Sequence, residues 1–180
     1  MIQPIQERHI EKCVEVIRRS FQTVADEFGI TAENAPRYVA FAATPERLRR
    51  QFHEEKRPMY ACFDEDGKTL GYYSLKTLGG GDCELNNLCV LPEYRRMGLG
   101  KKLLEHAFAR AKELGCGVMR IGIVEENARL RRWYESFGFT HTGTEKSDFF
   151  PFTSGYMVKK KSDFSDRKST RLNSSHVRIS

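Results

Sequence analysis

Hydrophobic positions recur along the chain with two periods. Ile10, Cys13, Val14, Ile17 and Phe21 return every three or four residues and predict a helix over residues 7–28, with a break near Gly29. Leu99, Leu103, Leu104, Ala107, Phe108, Ala111 and Leu114 repeat in the same way ahead of Gly115, a residue suited to a left-handed helix end. Asn34 before Ala35-Pro36 and Thr44 before Pro45 each join a capping side chain to an early proline, and predict two short helices. Residues 1–5 read as a short first strand interrupted at Pro4. Met59–Phe63 and residues 69–78 flank Asp64-Glu65-Asp66-Gly67, a hairpin signal. Leu85, Leu88, Val90 and Leu91 make an apolar strand that stops at Pro92, which has no N–H for a ladder. Val118–Val124 alternates as a strand, and Asn127 caps a helix reaching Phe137 and closing at Gly138. Residues 139–144 and 155–159 give two last strands, joined by the loop Phe149-Phe150-Pro151-Phe152. The order is strand, helices, three strands, helix, strand, helix, two strands. That predicts a single α/β (α+β) domain with one mixed sheet of about seven strands and four or more helices, without doubly wound alternation.

The stretch between the apolar strand and the long helix carries the first chemistry. Gly98 and Gly100 at the helix entrance let main-chain amides approach a ligand, and the first-turn N–H groups lack partners and carry the positive end of the helix dipole. Arg95, Arg96, Lys101 and Lys102 crowd the same turn, where a cation is unfavourable to a bare helix by roughly 0.3 to 1 kcal/mol. An anion is expected there. It is not held by a P-loop, because Gly100-Lys101 lacks the following Ser or Thr and the upstream glycine, and no G-x-G-x-x-G opens a dinucleotide unit.

Arg95-x-x-Gly98-x-Gly100, after a strand ending Val90-x-Pro92-x-Tyr94-Arg95, resembles the acetyl-CoA loop of the GNAT superfamily of N-acetyltransferases. A second segment, Asn127 to Phe139, resembles the part of that family in which an Asn meets the pantetheine arm and a Tyr seven residues later, here Tyr134, reaches the thioester sulfur. Asn127 and Tyr134 stand two helical turns apart, on one face. Leu130 departs from the small residue usual in the family at its position. The resemblance covers about residues 1–161. It implies acetyl-CoA as cosubstrate, held by Leu88, Cys89, Val90, Arg95, Arg96, Met97, Gly98, Leu99, Gly100, Lys101, Asn127 and Tyr134. Glu84, six residues before Val90, resembles the family's general base; a solvated edge glutamate accounts for it equally well. With period 2, and without a bulge, Glu84, Asn86, Leu88 and Val90 share a strand face.

The implied reaction is direct attack of an amine on the thioester in a ternary complex. A glutamate of pKa about 4.3 cannot simply deprotonate an amine near 10.4, so Glu84 needs a raised pKa or a water relay. The oxyanion donor implied by the family is a backbone N–H near Cys89 or Val90. Proton transfer from a tyrosine near 10 to a thiolate near 8.5 is uphill by roughly 2 kcal/mol, so Tyr134 either has a lowered pKa or acts by hydrogen bonding alone. Cys89, without a neighbouring His, is a weak nucleophile. For the acceptor, the family's habit of using the first helices and the last hairpin points to Asp26, Glu27, Asp148 and the Phe149, Phe150, Phe152 cluster, a set suited to a cationic amine. Core phenylalanines and solvated acids explain the same residues. The rival function is a catalytically silent acyl-CoA sensor or scaffold of the same fold.

Composition narrows the setting. Five cysteines, odd in number and with no C-x-x-C, point to free thiols in a reducing cytoplasm and to no metal site. No run approaches a membrane span, and the start of the chain has no apolar signal region. Residues 162–165 are expected to close the native chain. Back-translated, residues 166–180 resemble the read-through of a short-read sequencing adapter, with Val177 and Arg178 where a sample index falls. Four bases there (Arg167, Lys168, Arg171, Arg178) against one acid (Asp166) supply half of the formal charge of +6, which removes most of the case for a nucleic-acid partner. A membrane partner is not expected either; a small-molecule or peptide amine acceptor is, and a homodimer is allowed.

Overall fold

A computed structural model describes residues 1–164; the expectation for residues 166–180 lies outside the described residues. Tyr72 and Tyr73 set the layering, because consecutive strand residues point to opposite faces and both are fully buried. They belong to β3 (Thr69–Thr77), which pairs with β2 (Met59–Phe63) on one side and β4 (Cys83–Val90) on the other. β1 (Ile2–Pro4) adds the outer edge, where Pro4 is tolerated. β5 (Val118–Val124), β6 (Thr140–Lys146) and β7 (Thr153–Lys160) complete a seven-stranded sheet of order β1-β2-β3-β4-β5-β7-β6. Every pairing is antiparallel except β4 with β5.

On the Tyr72 face, α1 (Ile10–Phe28) and α3 (Pro45–His53) bury Ile10, Cys13, Val14, Ile17 and Leu48 against Met59, Ala61 and Cys89. Gly29 ends α1 at φ +66°, and Thr44 caps α3 by accepting from the Arg47 amide at 3.2 Å. On the Tyr73 face, α4 (Leu99–Glu113) and α5 (Ala128–Ser136) pack Leu103, Leu104, Ala107, Phe108 and Tyr134 against Leu75, Leu85, Met119, Ile121 and Met157. A third cluster joins Tyr38, Ala40, Val124 and Phe152 beyond the end of α1.

Two expectations are corrected. No helix starts at Asn34: its side chain closes a turn instead, accepting from the Thr31 amide at 2.8 Å and donating to the Gly29 carbonyl at 3.0 Å. The short helix α2 forms later, at Val39–Ala42. Nor do Glu84 and Val90 share a face. The register on β3 passes from Tyr72 opposite Cys89 to Ser74 opposite Asn86, so Asn87 and Leu88 together face one residue, and Asn87 takes φ +57°. This bulge reverses the alternation: Leu85 and Val90 both enter the α4 side, which places Glu84 and Asn86 on the α1 and α3 side.

Candidate active site

The sheet divides in its middle. β4 and β5 pair only at Cys83 with Met119 and Glu84 with Arg120, whereas β5 pairs with β7 along all seven of its residues from Val118 to Val124. Past Glu84 the two parallel strands separate, and the β5-facing edge of β4 is left without a strand. The Leu91 amide donates to Leu70 on the β3 side, so by alternation the amide of Val90 faces the gap.

The loop after β4 supplies donors at the wide end of this gap. A 3-10 turn at Pro92–Tyr94 leads to Arg96 at φ +67° and Gly98 at φ +79°, and α4 begins at Leu99 with no side-chain cap. Its first bond runs from the Lys102 amide to the Gly98 carbonyl. From Arg96 to Lys101 no main-chain N–H has an acceptor among the described residues. Met97 is exposed, Leu99 tucks against the core, and Gly100 lies under the Trp133 ring, whose Cζ2 would be 3.6 Å from an added Cβ. Arg95 departs from the expected crowding of basic side chains around one anion. Its guanidinium turns to α1, donating to the Val90 carbonyl at 3.2 Å, the Ser20 carbonyl at 2.9 Å and Thr23 Oγ1 at 3.0 Å.

Across the gap, Asn127 caps α5 by accepting from the Leu130 amide at 3.3 Å, which leaves its amide nitrogen as a donor. Tyr134 follows two turns later, buried between Trp133 and Phe139 at ring distances of 5.0 and 5.3 Å. Burial, and secondarily the Cys89 thiol, push the Tyr134 pKa well above the ordinary tyrosine value. That direction favours the second of the two options open from sequence, hydrogen bonding without proton transfer. Cys89 is itself buried and pushed up to about 12, so it is a protonated thiol and no nucleophile at neutral pH.

Glu84 lines a cavity of about 250 Å³ between β3, β4, α2 and α3. Arg120, its register partner on β5, is held instead by Asp82 at 2.9 Å, and Glu84 makes no ion pair among the described residues. Of the residues expected around the acceptor, Phe149 meets this cavity's lining through Arg37, and the others are engaged elsewhere or exposed. Asp26 accepts from Gln22 on the outside of α1, Glu27 pairs with Arg129 at 2.8 Å, and Asp148 is exposed on the last hairpin. Phe150 and Phe152 stack at 4.7 Å as part of the third cluster; Phe149 is 55% exposed, with the Arg37 guanidinium 4.0 Å over its ring. The cavity beside Glu84 is lined instead by Arg37, Arg47, Arg57, Lys76, Asn86 and Asn87 among others, which sequence reasoning passed over. The two consecutive asparagines, polar within an otherwise apolar strand, were the available signal. Among the described residues no group of three His, Cys, Asp or Glu side chains could hold a metal, and no helix is long and apolar enough to cross a membrane.

A mixed seven-stranded sheet that splits between two parallel strands, with an uncapped helix start at the split, defines a fold class shared with known acetyltransferases. At TM-score 0.76 the chain superimposes on a PaiA N-acetyltransferase from Thermoplasma acidophilum solved in complex with coenzyme A, with 22% identity over 89% of this chain and 98% of that one. The protein belongs to the acetyltransferase (GNAT) family, whose model matches residues 25–139. Among curated relatives, the ribosomal protein bS18-alanine N-acetyltransferase of Escherichia coli K12 is 34% identical over 74 residues, 41% of this chain and 49% of that protein. Thialysine N-epsilon-acetyltransferase of Bos taurus is 32% identical over 72 residues, 40% of this chain and 42% of that protein. The chain thus spans about half the length, or less, of the curated relatives it matches.

Proposed function

We propose that the protein transfers an acetyl group from acetyl-CoA to an amine held beside Glu84. The observation that carries this reading is the run of unpaired main-chain donors from Arg96 to Lys101, at the head of a gap between β4 and β5 that Val90 and Tyr134 border. Orphaned amides at a helix start suit a diphosphate, and an open strand edge suits the amide-bearing arm that would run along it. Residues 96–101 would hold the diphosphate, and the Asn127 amide and the free edge of β4 the arm.

Acetyl-CoA supplies an acetyl thioester activated toward amines. Glu84 accepts the proton that the acceptor amine must lose, directly or through one water. The Val90 amide donates to the carbonyl oxygen as negative charge builds on it. Tyr134, kept protonated by burial, donates a hydrogen bond to the departing sulfur and retains its own proton. Cys89 takes no covalent part, which supports direct transfer over a ping-pong route.

Calorimetry with CoA and acetyl-CoA, followed by CoA release against a panel of amines, tests the reading. Saturable binding with turnover on at least one amine is expected. Binding without turnover on any amine would make the chain a sensor of acyl-CoA, and absence of binding would remove the assignment altogether.

A further inference from the structure

We infer that the amine acceptor also carries an acid group, and that the cavity beside Glu84 binds it as a small amino-carboxylic or amino-phosphonic acid. This rests on the proposed acetyl transfer and adds the acceptor's class. Four cations, Arg37, Arg47, Arg57 and Lys76, line the cavity against the single carboxylate of Glu84. Arg57 is paired with Glu55, but Arg47, Lys76 and Arg37, which rests over the Phe149 ring, have no carboxylate partner among the described residues, so positive charge remains in excess around the cavity. A polyamine would add like charges to that surface and is disfavoured by it.

Arg57 is the most telling of the four. Its side chain is only 9% exposed, one of its terminal nitrogens donates to Glu55 at 2.9 Å, and its Nε is buried without an acceptor among the described residues. A buried guanidinium N–H left unpaired is costly, and an acid group offering two oxygens, carboxylate or phosphonate, is what such a fork receives. Gln51 supplies the opposite need: its Oε1 is buried in the same wall without a donor. Glu84 and Gln51 are therefore the acceptors for an amine, and Arg57 with Arg47 and Lys76 the donors for an acid, around one open cavity. At about 250 Å³ the cavity lies below the roughly 300–1,000 Å³ of drug-sized sites. An acceptor of amino-acid size fits it.

The test pairs each acid with its neutral counterpart. CoA release is measured for β-alanine, 2-aminoethylphosphonate and a set of α-amino acids, for the amides or esters of the same compounds, and for spermidine. The acids should exceed their neutral counterparts by about ten-fold or more in kcat/KM, the effect of one charge-assisted hydrogen bond to a buried partner. The carboxylate and phosphonate arms decide which acid group is read. Arg47→Gln and Arg57→Gln should each narrow the ratio of acid to amide while leaving CoA affinity unchanged. Equal use of acid and amide, or preference for spermidine, overturns the inference while CoA binding and turnover keep the transfer reading intact. Arg47 is exposed, so its variant decides the matter should Arg57→Gln fail to fold. Should CoA not bind, thermal shifts with the acids alone still decide: a rise in melting temperature that Arg47→Gln weakens upholds the acid site, and no rise rejects it.

Discussion

Arg95 reaches back from the loop after β4 to donate its Nε–H to the carbonyl of Val90, 3.2 Å away, and the same guanidinium grips the Ser20 carbonyl and Thr23 on α1. One side chain thus ties the strand that borders the gap, the loop that bears the unpaired amides and the helix on the far face. Replacing it with alanine should lower stability by about 2 kcal/mol, since hydrogen bonds from a charged donor are lost and carbonyls are left bare. A lysine, with a point charge and no fork, should restore little of this. Denaturant midpoints for Arg95→Ala and Arg95→Lys check the first claim. A CoA affinity reduced in both variants, through loosening of residues 96–101, checks the second.

Gly98 bears on the same loop through its backbone alone. An added Cβ would meet no atom within 4 Å, so any effect of substitution comes from φ +79° and from the ligand. Valine, β-branched, should suffer most, with strain of about 1–2 kcal/mol in the loop. Asparagine, which tolerates the left-handed region, should keep the fold and part of the CoA affinity. The expected order of affinity by calorimetry is Gly, then Asn, then Val with none detected. Equal affinity of all three would place the diphosphate elsewhere.

Much of this site was legible in residue order. Gly98 and Gly100 marked a helix entrance with exposed main-chain amides, Gly98 does take the left-handed conformation there, and Asn127 and Tyr134 fell on one helix face by spacing alone. The arginine's true direction was not legible, since a cation beside a phosphate loop and a cation bonded to a neighbouring helix look alike in one dimension. The bulge at Asn87 was hidden for a different reason: it depends on how β4 registers against β3, and it moved Glu84 to the other face of the sheet. The basic cavity draws Arg37, Arg47, Arg57 and Lys76 from separate stretches of chain, so no local pattern could have assembled it.

Buried thiols make stability fall in alkali. Burial raises Cys13 and Cys89 to about 12, against about 8.5 for a free thiol. Between those values the folded chain keeps protons that the unfolded chain has released. Stability is complete below the unfolded pKa and declines as pH climbs toward the folded one. Urea midpoints should be level from pH 7 to 8 and fall steadily from pH 9 to 11. Cysteine-to-alanine replacement at position 89 should flatten part of that fall, and a thiol reagent should leave Cys89 unmodified until denaturant is added.

Tyr134 and Glu84 can be separated by which kinetic constant each moves. Tyr134→Phe removes the proposed donor to the departing sulfur, so kcat should drop by about 10- to 100-fold with CoA affinity nearly unchanged. Because burial raises the Tyr134 pKa, the wild-type rate should show no loss from tyrosine ionisation up to pH 9. Glu84→Gln keeps shape and removes the proposed base, and the expected loss in kcat is about 10²- to 10⁴-fold. Glu84 also lines the basic cavity proposed for the acceptor, so a purely binding role would instead raise the acceptor KM and spare kcat. Steady-state kinetics of the two variants on one acceptor, with CoA affinity measured separately, distinguish these outcomes. If Glu84→Gln moves KM alone, the proton must leave the amine by another route.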